Sequence, residues 1–390
     1  MNEQYPWPAQ VLTGFDGASP HHPQAVTRIG PASFVLQANY RQRPGESEDA
    51  GDDRGARFET RVINHTHQPL PATIAVDWAG PRWIEHRDIG FVRHNRRNSW
   101  WEITGVIQGN QVIYQLDLPP GMTELSLYPA YNVSQCQRFV AWCQRQGAGV
   151  KVAGFSEQKR PIWLVHVPST NPHAHNLLVR ARDHAYETAS SFAVEGMLKS
   201  LLNPKSMHSA KSQAIRSQCN VWVLPMTNPD GVYNGMSRLT HENGADLNRL
   251  LTQPDAAHHV MRSVTDKLKP AVQISLHNWQ PKDIDGLLCN EPQVAAQILE
   301  RWPADEAHGK RWFVETLPEY LASQNIITVP DQDKSWKDYC LEHFDCMAVT
   351  LEFPWHRMTP VSMRTKGQKA LQVVVDTAAC LEKFNVARSI

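Results

Sequence analysis

The chain has no surplus of charge: 39 Lys and Arg stand against 39 Asp and Glu in 390 residues. Formal neutrality gives nucleic acid or an anionic membrane no bulk electrostatic grip, so neither is expected as the main partner. No stretch approaches the roughly 20 apolar residues that cross a bilayer. The opening Met-Asn-Glu-Gln-Tyr-Pro-Trp lacks both the basic cluster and the apolar run of a secretory signal. The 7 Cys are odd in number, scattered, and form no Cys-x-x-Cys pair. That argues against a cysteine zinc knot and a disulfide framework, and favours a thiol-keeping cytoplasm. Each thiol then reads as a small buried apolar group.

What the sequence does have is the balance of an ordinary folded protein, 41% hydrophobic and 20% charged, which excludes wholesale disorder. At roughly 100–200 residues per domain, the length suggests two or three domains. The 18 His are more than such a chain usually carries, so metal chemistry is worth seeking.

Residues 28–127 read as strands. The runs 58–63 (Phe-Glu-Thr-Arg-Val-Ile) and 72–78 (Ala-Thr-Ile-Ala-Val-Asp-Trp) are separated by turn formers. Residues 100–107 and 112–118 read as a hairpin around Gly109-Asn110, and 123–128 as another strand. An all-β sandwich domain over 1–127 is expected, with the charged, glycine-containing stretch 41–57 as a mobile loop. Past Tyr131 apolar strand-length runs (161–167, 177–180, 221–225, 271–276, 347–352) alternate with helix-length segments (133–146, 190–202, 256–269, 291–302, 335–343, 368–384). Ser134 is a candidate cap for the first helix. Continuous apolar strands flanked by helices imply an α/β domain over 128–390, a mixed, largely parallel sheet covered by helices.

Ligands of an open α/β sheet bind beyond the carboxyl ends of its strands, and polar clusters stand there in this chain. After 177–180 come His184 and Glu187; after 221–225 come Asn228, Gly231, Gly235 and Arg238, then Asp246, Asn248 and Arg249. His277 ends the strand over 271–276, and Glu352 ends the last. At i, i+3 on a first helical turn, His184 and Glu187 share a face and reach one ion; two imidazoles, one carboxylate and water make an open zinc site, with His277 as third ligand. Taken singly, each residue has a plain reading: a hydrogen-bonded strand-end His, a helix-start Glu favoured by the helix dipole, Asn and Asp as turn formers, a solvated Arg.

In order, His-Ala-Tyr-Glu at 184–187, Asn-Pro-Asp-Gly-Val at 228–232 with Arg238, Asp-Leu-Asn-Arg at 246–249, Ser-Leu-His at 275–277 and Thr-Leu-Glu at 350–352 resemble the zinc metallocarboxypeptidase family. The Asn-Pro-Asp-Gly-Val run and the leading β-rich domain are similar to its cytosolic branch. The resemblance covers about residues 123–385 by motif order. It implies one zinc per chain held by His184, Glu187 and His277, with Asp246 fixing the orientation of a ligand His. It further implies Asn248 and Arg249 on the substrate's terminal carboxylate, Arg238 on the scissile carbonyl and its oxyanion, and Glu352 as general base. The implied substrate is the C-terminus of a peptide or protein.

The family pattern is broken at Tyr186, Met236 and Asn278, and by Phe-Pro-Trp after Glu352, all around the substrate and not on the metal ligands. In this family the side-chain pocket is shaped by residues shortly before the catalytic Glu; Lys337 there would favour an acidic C-terminal residue such as Glu, its plain reading being a solvated helix-start lysine. Arg93, Arg96 and Arg97 read either as a basic guide for an acidic tail or as a polar hairpin tip. Two other functions fit parts of the pattern: a related deacylase acting on N-acyl amino acids, and a zinc- or peptide-binding module without turnover. The Asn-Pro-Asp-Gly-Val run argues against the first, and Glu352 with Arg238 against the second. A dication with Arg238 and Arg249 close by would make the pocket positive, suited to a carboxylate.

Overall fold

The computed structural model describes residues 6–38, 57–78, 87–95, 99–203, 205, 209–249, 255–278, 285–302, 312–315, 334–355 and 357–381. It forms two compact units, one of Met1–Ser134 with Asp230–Gly244, the other of Gln135–Pro229 with Ala245–Ile390.

The first unit is β-rich. Its strands are β1 (Ala9–Leu12), β2 (Val26–Gly30), β3 (Ser33–Gln37), β4 (Glu59–Asn64), β5 (Leu70–Asp77), β6 (Ile89–His94), β7 (Trp101–Thr104), β8 (Val106–Gln108), β9 (Gln111–Leu118) and β10 (Gly121–Ser126). They make two five-stranded sheets, in the orders β1-β4-β10-β6-β7 and β2-β3-β5-β9-β8. Alternation along the strands turns Phe34, Leu36, Ile74, Val76, Val112 and Tyr114 of one sheet and Val62, Val92 and Leu125 of the other into a single buried cluster. The stretch 100–107, expected as one strand, is two. β7 pairs with β6 in the first sheet and β8 with β9 in the second. The chain changes sheet at Gly105, where a Cβ would lie 2.6 Å from a Val112 methyl, so no side chain fits at the crossing.

Of the expected loop over 41–57, residues 41–56 lie outside the described residues, but Arg57 itself is buried. Its guanidinium donates to the carbonyls of Gly17 (3.0 Å) and Val232 (3.2 Å) and pairs with Glu59 at 3.0 Å. Gly17 N–H donates to Tyr233 O at 3.0 Å. At Gly235, a position with φ +68°, a Cβ would meet Ala18 O at 1.9 Å. Close backbone approach and a buried guanidinium thus bind the segment Asp230–Gly244 to the β-rich unit.

The second unit is built on an eight-stranded sheet in the order β11-β12-β14-β13-β15-β18-β16-β17. The strands are β11 (Gly149–Phe155), β12 (Pro161–Val167), β13 (His175–Ala181), β14 (Cys219–Leu224), β15 (Val272–His277), β16 (Asp285–Cys289), β17 (Trp312–Glu315) and β18 (Met347–Glu352). The central four, β14-β13-β15-β18, are parallel, with antiparallel pairings at β11–β12, β12–β14 and β16–β18. The helices are α1 (Val133–Arg145), α2 (Thr188–Leu202), α3 (Ala210–Gln218), α4 (Pro229–Tyr233), α5 (Ala256–Leu268), α6 (Pro292–Arg301), α7 (Trp336–Phe344) and α8 (Pro360–Ala378). α5 and α7 pack Met261 and Trp336 onto Leu164, Leu178 and Leu224. This is the mixed, largely parallel α/β sheet that the apolar runs imply, and no described helix is long and apolar enough to cross a membrane.

Two helix starts differ from expectation. The first turn of α1 is capped by distant Asp16, which accepts from Val133 N at 3.1 Å and Ser134 N at 2.8 Å, so Ser134 is not its own cap. α8 begins at Pro360, not 368, behind a Thr359 capping box. Gly367 therefore lies inside the helix, and the α2–α8 crossing accounts for a glycine there. A Cβ on Gly367 would lie 2.1 Å from Ala193 O, and one on Gly196 only 1.8 Å from Arg364 O. The two backbones touch at reciprocal glycines.

Gly196→Ala and Gly367→Ala are each expected to destabilise the fold by at least the 1–3 kcal/mol (roughly) of an overpacked core. Gly149→Ala, whose Cβ would find only ordinary contacts from 3.5 Å, is the control. Thermal melts of the three variants check this; equal midpoints would refute the crossing as described.

Candidate metal centre

Strand β13 ends in charge. Arg180 and Arg182 follow an apolar run, and both are buried. Arg182 takes φ +63°, a left-handed conformation that is costly for a side-chain-bearing residue. Its guanidinium holds the turn, donating to Ala185 O at 2.5 Å and Ser191 Oγ at 3.1 Å. This turn delivers His184 and Glu187 to the start of α2, with Glu187 in the N-cap position.

His184, Glu187 and His277 are all buried, and one donor atom from each lies within 4.8 Å of the others. Glu187 Oε1 is 2.7 Å from His184 Nδ1, and Oε2 is 2.8 Å from His277 Nδ1. Burial alone would push the Glu187 carboxyl up; the two imidazoles outweigh it and hold it down to about 2. His184 Nε2 donates to Asp246 Oδ1 at 3.1 Å. Both nitrogens of this ring therefore face carboxylate oxygens, which only accept. A neutral imidazole satisfies one of them, so positive charge belongs between Nδ1 and Glu187. The donor set fits a cation.

The other expected residues fall as follows. Asp246 also accepts from Asn248 N at 2.8 Å, and Arg249 N donates back to Asp246 O at 3.1 Å. Leu247 between them is fully buried, its carbonyl taken by Trp336 Nε1 at 2.8 Å. The Asp-Leu-Asn-Arg run is thus fixed directly against His184. Glu352 pairs in register with His277 on the neighbouring parallel strand, so the two side chains share a face about 5 Å apart at the backbone. Arg238 is half-buried on the segment Asp230–Gly244, which folds with the β-rich unit.

Lys337 does not stand as a free lysine. It is 3% exposed, its ammonium donating to Asp338 at 2.8 Å and also to Asn290. Asn290 follows Cys289, which pairs with Val349, three residues before Glu352, about 10 Å back along the strand. A buried ammonium must be paired within the fold, and this one is. Arg93 is likewise engaged, bonded to Glu124 at 2.5 Å and lying over Trp100, while Arg96 and Arg97 lie outside the described residues.

Three features went unread in the sequence. Arg180 donates to Asp183 (3.1 Å) and to Ser275 Oγ (3.3 Å), and Ser275 Oγ lies 3.1 Å from His277 Nε2. Thr227 Oγ1 and Asn228 Nδ2 tie β14's end to Asp183 at 2.7 and 3.3 Å. Trp355 Nε1 donates to Thr188 Oγ1 at 3.0 Å and meets Phe192 edge-on. The unfamiliar Phe-Pro-Trp therefore joins the end of the Glu352 strand to the residue after Glu187. Ser275 was legible: two residues before His277 in a strand, it shares that face.

Residues 145–267 match the zinc carboxypeptidase model of the M14 peptidases. Over that stretch, just under a third of its length, the chain is similar to the M14 zinc carboxypeptidases. The matched stretch includes His184, Glu187, Asp246, Asn248 and Arg249. The cytosolic carboxypeptidase-like protein 5 of Ailuropoda melanoleuca is 33% identical over 123 residues, 31% of this chain and 14% of that protein. The alignment thus spans about one seventh of that relative's length. Among solved structures, a metallo-carboxypeptidase from Burkholderia cenocepacia aligns with a TM-score of 0.77 at 16% identity, covering 95% of this chain and 99% of that one. A metallo-carboxypeptidase from Pseudomonas aeruginosa, in complex with (2-guanidinoethylmercapto)succinic acid, aligns at 0.74 and 17% identity, covering 95% and 100%. At such identities the likeness is one of fold, and it extends over 95% of this chain.

Lys337→Met should leave any preference for the C-terminal residue unchanged while costing about 3–5 kcal/mol of stability, because it strands the buried Asp338 carboxylate. Melting curves and a peptide panel read the two effects separately. A changed residue preference with unchanged stability would return Lys337 to the substrate pocket.

Proposed function

We propose that this protein is a zinc-dependent carboxypeptidase that removes the C-terminal residue of peptides or proteins. The observation that carries the reading is Glu352 standing in register beside His277, next to a buried His-Glu-His donor set. A non-catalytic metal protein has no use for a further carboxylate there.

One zinc ion per chain would be held by His184, Glu187 and His277, with a coordination position left for the reaction. When bound it would polarise the scissile carbonyl and make a water more acidic. The chain's own residues do the rest. Glu352 takes the proton from the attacking water and delivers it to the leaving amine. Asn248 and Arg249 hold the substrate's terminal carboxylate, for which a planar guanidinium suits bidentate pairing. Arg238 stabilises the oxyanion. Asp246 keeps His184 oriented, with Nδ1 turned toward Glu187 and the ion it would share.

An acidic C-terminal residue, Glu first, is the substrate to try; with Lys337 engaged inside the fold, support for it comes from the cytosolic relatives' resemblance alone. Those relatives' names also suit the cytoplasmic location expected from the cysteines.

The test joins metal analysis to a panel of peptides with varied C-terminal residues. Glu352→Gln should keep its zinc and lose about 10²–10⁴-fold in kcat. Equal cleavage by that variant would sink the assigned mechanism. Cleavage of N-acyl amino acids with no peptide cleaved would instead select the deacylase. Separately, Glu187→Gln should purify without stoichiometric zinc, since an amide removes the anion that both imidazoles face; full metal content in it would overturn the ligand set.

A further inference from the structure

The two imidazoles of the candidate metal centre are held differently. His184 Nε2 donates to a carboxylate, Asp246, at 3.1 Å. His277 Nε2 faces a hydroxyl, Ser275 Oγ, also at 3.1 Å. That hydroxyl accepts in turn from Arg180 Nη2 at 3.3 Å. Arg180 is held by Asp183 at 3.1 Å and lies 5.2 Å from the Trp336 ring centre. Asp183 accepts from Thr227 at 2.7 Å. Thr227, Asp183, Arg180, Ser275 and His277 are each at most 1% exposed. The order therefore runs from the end of β14 through β13 to β15, and stops at a metal-facing ring.

Register explains why these groups meet. Arg180 on β13 pairs with Ser275 on β15, and Ser275 is two residues before His277, so all three project from one face of the sheet. A burial this complete is costly for a guanidinium unless every direction is answered. Asp183, Ser275 and the Trp336 ring answer three of them.

We propose that Ser275, held in place by Arg180, is the positioning residue for His277, and that it makes the two metal-binding imidazoles unequal. This rests on the metal-site reading above. A ring that ligates through Nδ1 carries its proton on Nε2 and needs an acceptor there to stop it turning. Asp246 is an anion and strengthens His184 as a ligand. Ser275 Oγ already shares a lone pair with a guanidinium, so it fixes His277 in place while withholding that extra basicity. His184 is then the stronger donor and His277 the more weakly bound one.

The experiment compares zinc dissociation constants of the full chain by competition with a chromophoric chelator. Ser275→Ala should weaken zinc about 10–100-fold, the usual cost of losing such a partner. Ser275→Thr, which keeps the hydroxyl, should restore affinity to within about threefold. The visible spectrum of the cobalt-loaded protein should shift in the Ala variant and recover in the Thr variant. Ser275→Ala also takes an acceptor from buried Arg180, so its metal-free melt should fall; a merely structural serine would move that melt but leave zinc affinity and the cobalt spectrum at parental values. Parental affinity and spectrum in Ser275→Ala would overturn the proposal and leave the metal site standing. A parent chain that takes up no zinc at all would overturn both.

Discussion

A carboxylate sealed from water between two imidazoles is the constraint on which the rest of the α/β unit turns. Glu187 is 2% exposed, and an unpaired anion in that position would be expelled or protonated. It survives because each of its oxygens meets a ring nitrogen, at 2.7 and 2.8 Å. Those rings come from different strands, β13's end and β15's end. Their meeting requires adjacent parallel strands in fixed register, a turn at Arg182 that a bulky residue enters only under strain, and a partner on each outer nitrogen.

The helices serve the same constraint from a distance. Glu187 sits at the first turn of α2, so whatever fixes α2 fixes the carboxylate. The reciprocal glycines at the α2–α8 crossing bring the backbones into contact, and Trp355 pins Thr188 from the far side of Glu352. Glu352 and Glu187 are thus joined through the hydrogen bond of one indole. On the proposed reading a general base and a metal ligand must keep their spacing to a fraction of an ångström, and both these carboxylates hang from one packed junction.

Much of this was legible, and the limits of legibility are physical. Apolar runs gave the sheet, and the position of polar residues just past strand ends gave His184, Glu187, His277 and Glu352, because alternation and strand length are local properties of the chain. Lys337 was misread for a non-local reason. Its neighbours in sequence look like a solvated helix start, and its charge is met by the adjacent Asp338, but the strand end that buries it and supplies Asn290 as a second acceptor is 47 residues away. Arg57 failed the same way: it closes a charged, loop-like stretch, yet its acceptors are carbonyls of Gly17 and Val232. The last helix was expected only from 368, and the glycine just before that point lies inside it because another helix passes against it. Pairings across long sequence separation leave no periodic trace.

The zero net charge of the whole chain says little about this place, and the local count sharpens the expectation of a positive pocket. Side chains joined to the three donors by hydrogen bonds add two further carboxylates, Asp246 and Asp183, and one guanidinium, Arg180. With Glu187 that leaves a net two negative charges, Asp246 being only partly buried. A divalent ion cancels them, whereas a monovalent ion would leave an anion in a dry site. On the proposed reading the three donors and their bonded partners are therefore neutral once loaded, not positive, and Glu352 beside His277 adds a further carboxylate. On that reading the attraction for a substrate's terminal carboxylate falls to Arg249, fixed beside Asp246. That division also suits turnover: a neutral floor does not hold the new carboxylate product as a bare dication would, so release is eased without weakening the capture of the substrate's carboxylate.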